Sequence, residues 1–125
     1  MSNLKTVEIK AFLPAKDYAL SQRFYQDLGF TMASDGGGVS YFHYGNTSFL
    51  LCEFYVQAFA ENLQMHLLVE DVQAWFDQVK ASSVAEKYGV RLTPLEEQPW
   101  AMIDFTLSDP AGVCWRIGQN IDRKP

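Results

Sequence analysis

The chain is poor in the residues that mark several protein classes. It has only two cysteines in 125 residues, Cys52 and Cys114, and they do not form a CxxC spacing. That pattern favours buried free thiols over a disulfide framework or a structural zinc site. Bases are few: ten Lys and Arg against fifteen Asp and Glu leave a net charge of −5. Nucleic-acid binders usually carry a basic face, so that class is disfavoured, while an acidic surface raises the local concentration of cationic ligands. No apolar run approaches the roughly 20 residues of a membrane-spanning helix. The opening MSNLKTVEIK lacks the basic-then-apolar pattern of a signal peptide, so the expectation is a soluble, cytoplasmic protein with no membrane or nucleic-acid partner. There is no GxSxG elbow for a nucleophilic serine. The triple glycine at 36–38 is followed by neither Lys-Ser nor Lys-Thr and opens no helix, so it reads as a turn and not a phosphate loop.

What remains is ordinary for a folded domain. Hydrophobic residues make up 48% and charged residues 20%, which argues against disorder. The length suits one domain spanning 1–125, able to bury roughly two-thirds of its unfolded surface.

The organisation is a faint repeat. Residues 7–13 read as a strand with Val7, Ile9, Ala11 and Leu13 on one face. Asp17 caps a helix carrying Leu20, Phe24 and Leu28, and Gly29 ends it. Three strands follow, near 30–34, 39–44 and 48–55. The second half repeats this order: a strand at 64–69, a cap at Asp71, a helix with Val72, Trp75, Phe76 and Val79 on its apolar stripe, and a stop at Gly89. Strands near 90–95, 101–108 and 113–118 complete it. The expected fold is therefore α+β, with two βαβββ modules at about 4–58 and 63–120. Each sheet covers one face with its helix and needs something else on the other face. Two curved mixed sheets around a cleft satisfy that need.

FYQDLGF at 24–30, VEDV at 69–72 and DPAG at 109–112 carry a resemblance to the vicinal oxygen chelate superfamily of glyoxalase I, extradiol dioxygenases and bleomycin resistance proteins. The segment EQPWAMIDFTLSDPAGVCW is most similar to the bleomycin resistance proteins. The likeness covers nearly the whole chain. It implies a homodimer whose clefts draw on both subunits and hold a drug-like small molecule.

The superfamily's enzymes hold a divalent ion with His, Gln and Glu on four strands. The positions that match here, counted back from Asp17 and Asp71 and forward from Gly112, are Lys10, Gln64 and Arg116. The fourth falls on Leu51 or Glu53. Protonated Lys and Arg cannot ligate at neutral pH. The expectation is a cleft with no metal, no cofactor and no catalytic residues. Arg116 would occupy the ion's electrostatic place, paired with Asp104 or Glu8.

Alternation puts Met102, Asp104, Cys114 and Arg116 on the cleft side, with Gln64 and His66 on the neighbouring strand. His66 is either a wall residue or a general base. Trp100, after Pro99, either stacks on a ligand or plugs the sheet end. Phe12, with Phe42 or Tyr41, adds aromatic wall. The leading expectation is sequestration of a drug or flat aromatic ligand. The alternatives are a glyoxalase- or dioxygenase-type enzyme and a binder of an anionic metabolite held by Lys10 and Arg116.

Overall fold

The structure is a computed structural model and describes residues 2–122. The strand–helix–three-strand order appears twice, with short helices added. The first half contains β1 (Phe12–Pro14), α1 (Tyr18–Leu28), β2 (Thr31–Gly36), β3 (Val39–Tyr44) and β4 (Thr47–Cys52). A short α2 (Gln57–Ala60) joins the halves. The second contains β5 (Gln64–Leu68), α3 (Val72–Ser82), α4 (Val84–Tyr88), β6 (Glu96–Gln98), β7 (Met102–Ser108) and β8 (Cys114–Asn120).

Each half builds a four-stranded mixed sheet, ordered β1-β4-β3-β2 and β5-β8-β7-β6. The first strand of each half runs parallel to the last, and the other pairings are antiparallel. The two helix starts are equivalent: Asp17 Oδ1 accepts from Leu20 N at 3.2 Å, and Asp71 Oδ1 accepts from Ala74 N at 3.0 Å. Both satisfy a backbone N–H that the helix itself leaves orphaned. Gly29 closes α1 at φ 119, a backbone region that strongly favours glycine.

One apolar core joins the halves. Tyr25 and Phe24 of α1 and Phe42 and Phe49 of the first sheet pack with Trp115, Phe105, Leu107 and Ile117 of the second. Both sheets therefore turn one face inward, to this core. Their other faces lie outward, where alternate residues such as His66 and Phe12 are exposed. Of the expected ways to cover the outward faces, the sister sheet is therefore excluded, which leaves a second subunit or a ligand.

Three further expectations change. β1 covers only Phe12–Pro14, although a strand was expected over 7–13. Leu13 is fully buried, but Val7 is 100% and Ile9 94% exposed on an extended arm. The helix expected to run to Gly89 breaks at Ser83, which adopts φ 58, and restarts as α4. The strand expected near 90–95 is a single bridge, Leu92 with Leu107, and the edge strand is β6.

The arm leaves an unfilled edge. The register pairs Phe12 with Leu50, and Leu50 N bonds Ala11 O at 3.0 Å. Continued backward, that register sets Lys10 against Ser48 and puts Val7, Ile9 and Ala11 on the core side. Instead, a cavity of about 220 Å³ lies between the start of β4 and β5, walled by Phe30, Phe49, Met65 and Trp115.

Candidate functional site

The outward face of the second sheet is read directly from its register. Gln64, Cys114 and Ser108 form one row, His66, Arg116 and Thr106 the next, and Leu68, Gly118, Asp104 and Glu96 a third. Met102, flanked by Gln98 and Asn120, forms the last. Six of the sequence-predicted residues thus share one surface: Gln64, His66, Met102, Asp104, Cys114 and Arg116.

An ion pair sits at its centre. Arg116 Nη1 lies 3.0 Å from Asp104 Oδ2, and Gln98 Nε2 donates to Asp104 Oδ1 at 3.0 Å. Asp104 is only 1% exposed. A polar group so far from water is costly unless such partners satisfy it. Of the two partners expected for Arg116, Asp104 is the one found. Gly118 permits this packing, because a Cβ there would lie 2.9 Å from Met102 Sδ and 3.1 Å from Asp104 Cβ. Met102 Sδ also lies 3.4 Å from His66 Nε2.

Trp100 is at the tip of the β6–β7 hairpin and is 58% exposed. That exposure excludes a plug buried over the sheet end and leaves the indole available to a ligand at one end of the face. Ala101 beside it adopts φ 60, the bend that carries the chain back into β7.

The remaining predicted residues lie elsewhere. Phe12 belongs to the first sheet and Lys10 to the arm that precedes it. Phe12 is 57% exposed on its outward face. Lys10 Nζ bonds Glu8 Oε1 at 2.7 Å and lies 5.3 Å from the Tyr41 ring centroid. Glu8 also accepts from Tyr41 OH at 2.8 Å and from Ser48 Oγ. Its carboxyl is lowered to about 2, chiefly by the Lys10 bond and then by Ser48 and Tyr41. Lys10, on the arm before β1, and Arg116, on the second sheet, therefore sit apart, and each already has a carboxylate. Phe42 is a correction: it is fully buried and stacks on Phe49, centroids 5.4 Å apart at 7°. Tyr41, the alternative, takes the outward face. Trp75, read as core, is only half-buried and meets Tyr44 edge-on at 4.8 Å.

The resemblance implies a fourth ligating position, and the two registers say where it falls. His66 and Phe12 both stand five residues before a capping Asp. His66 pairs with Arg116 and Phe12 with Leu50, so Leu50 corresponds to Arg116. Leu51 points into the core and Glu53 lies beyond the end of β4, so neither earlier candidate fits. The set is Lys10, Leu50, Gln64 and Arg116. Two are cations, one is a hydrocarbon, and only Gln64 offers a neutral oxygen. Such a donor set does not fit a divalent ion.

Sequence reasoning missed Gln98 and Gly118, and reads Glu96 as either a rim acid or solvated loop charge, with the second the default. Pairing across the Pro99–Ala101 turn was the available signal for Gln98 and Glu96. Gly118 needed the packing of Met102 to be seen.

No protein-family model matches the chain, and no curated protein matches it. Solved structures do. A bleomycin-binding protein in complex with bleomycin superposes with a TM-score of 0.78 at 23% identity, covering 92% of this chain and 99% of that one. The bleomycin-binding protein of bleomycin-producing Streptomyces verticillus, in complex with copper(II)-bleomycin, gives 0.76 at 22%, covering 97% and 100%. A lactoylglutathione lyase from Agrobacterium tumefaciens gives 0.65 at 18%, covering 92% and 94%. The chain has the fold that bleomycin-binding and glyoxalase-type proteins share.

Proposed function

We propose that this protein binds and sequesters a small drug-like or flat aromatic molecule, without a metal and without covalent chemistry. The observation that carries the reading is the Asp104–Arg116 pair on an outward face with Trp100 exposed at its end. A face of this kind grips by stacking and by polar contact. Micromolar affinity requires about 8 kcal/mol, which two or three stacked rings plus polar contacts can supply. The substitution of Lys10, Leu50 and Arg116 at the ion-ligating positions disfavours the lyase and dioxygenase chemistry of the same fold. The salt bridges of Lys10 and Arg116 disfavour an anionic ligand there, since each cation is already neutralised.

The site is completed by a second copy. Support comes from the exposed Val7 and Ile9 on the arm and the apolar slot beside β4 whose register would receive them. An arm entering from the partner would bring its Lys10 to the edge of β4, near β5 and Gln64. Loss of residues 2–9 should then turn a dimer into a monomer, as measured by light scattering.

The reading is tested by melting the purified protein with bleomycin, with an anionic aromatic acid, and with nickel or zinc. Saturable stabilisation by bleomycin is expected, since ligand at 100 times its dissociation constant adds about 2.7 kcal/mol. Stabilisation by the acid or the metal, with none by bleomycin, overturns it.

A further inference from the structure

Among the described residues, Lys10, Lys87 and Arg116 each have a carboxylate within 3.0 Å. Lys16 and Arg91 have none, and they line the same groove of about 400 Å³. The groove shares only Ser108 with the face described above. It lies at the opposite end of β7 from Trp100, where the turn before α1, the linker around α2, the segment after α4 and the β7–β8 hairpin meet.

Its walls are anchored. Ala15 N bonds Phe54 O at 3.0 Å, which fixes the chain beside Lys16. Ser108 N bonds Arg91 O at 2.9 Å, which fixes the backbone of Arg91 against the second sheet. Lys16 Nζ stands 5.8 Å over the ring of Tyr55, a flat wall of the groove. The hydroxyl of Ser108 makes no hydrogen bond among the described residues and borders the same space.

Neither acid that lines the groove forms an ion pair with these cations. Asp109 is 2% exposed, and its oxygens are occupied from inside by Tyr25 OH at 2.5 Å and by the N–H groups of Ala111 and Val113, both at 2.9 Å. Glu61 lies at the rim with both oxygens accepting from the Gln57 amide, at 3.0 and 3.2 Å. Asp109 and Glu61 balance the formal charge of the groove, but Lys16 and Arg91 each keep their donors open to a ligand. An arginine fork and a lysine point charge with a free hydroxyl and an aromatic wall match an oxyanion carried on a small flat body.

We infer that this groove is a second binding site, for a small ligand bearing a carboxylate or phosphate group, held by Arg91, Lys16 and the Ser108 hydroxyl. The site is independent of the sequestration reading, and its failure would leave that reading untouched.

The test is an amide NMR titration of the full-length protein with benzoate and with inorganic phosphate, at ionic strength matched by chloride. Saturable shifts are expected at Lys16, Tyr55, Arg91, Ser108 and Gly112 with at least one probe, and the responding probe tells carboxylate from phosphate. Both cations are exposed, so Arg91→Glu and Lys16→Glu should keep the dispersed spectrum of the folded chain. Each should weaken the response about tenfold or more, with Arg91→Lys intermediate because it keeps charge but loses the fork. No saturable shift with either probe at millimolar concentration overturns the site. So does an unchanged response in Arg91→Glu, or a response centred on Lys10 and Arg116.

Discussion

The phenol of Tyr25, on the helix of the first half, donates a 2.5 Å hydrogen bond to the carboxylate of Asp109, in the last hairpin of the second half. Trp115 Nε1 donates to the same phenol at 2.9 Å. Both residues of the first bond are buried, and the Asp109 carboxylate also accepts from its own hairpin at Ala111 and Val113. The Asp-Pro-Ala-Gly turn is thus tied to the opposite half of the molecule. Tyr25→Phe keeps the ring but strands one oxygen of a buried carboxylate and an indole N–H. The expected cost is about 1–3 kcal/mol, measured by urea unfolding.

The same pair sets an alkaline limit. Burial first, and the neighbouring Asp109 charge second, hold the Tyr25 phenol well above its ordinary 10.0. A raised folded-state value means that its contribution is complete below the ordinary pKa and is lost as pH rises through the folded one. Stability should therefore fall above about pH 10, and fall less steeply in Tyr25→Phe. Parallel unfolding curves at neutral and alkaline pH check this. Equal slopes for the two proteins would place the limit elsewhere.

Asp104→Asn should leave Arg116 short of its counter-charge. Breaking a fully buried pair costs about 3–5 kcal/mol, but solvent reaches the Arg116 side chain, so about 1–3 kcal/mol is expected here. Replacing both members by Leu and Met should recover much of that loss in denaturant unfolding, while removing the polar contacts that the ligand is proposed to use.

Trp100→Ala should leave stability within about 0.5 kcal/mol, because the indole is exposed and packs little. Ligand binding should weaken about 2- to 30-fold, the range of one aromatic–cation or stacking contact. Fluorescence titration against bleomycin gives both numbers.

Much of the fold was legible because two local signals recur: a capping Asp before each main helix, and period-two alternation in β7 and β8. The same alternation placed Asp104, Cys114 and Arg116 on one face. It failed where parity was ambiguous. The strand carrying Tyr41, Phe42 and His43 has aromatic rings on both faces, and only the pairing of Phe42 with Phe49 decides which turns inward. The arm carried the right parity but lacks its strand, because β1 pairs only with the last half of β4. The separation of Lys10, on the arm before β1, from Arg116, on the second sheet, was not readable at all. It depends on how the two halves share their core, through contacts such as Tyr25 with Trp115 that no local pattern encodes.

The most direct measurement is calorimetric titration of bleomycin into protein stripped of metal by a chelator. A pocket that holds its ligand through the Asp104–Arg116 face and Trp100 should give saturable heat at one molecule per chain, unchanged when zinc or nickel is restored. Heat that appears only after the metal is added would contradict the account.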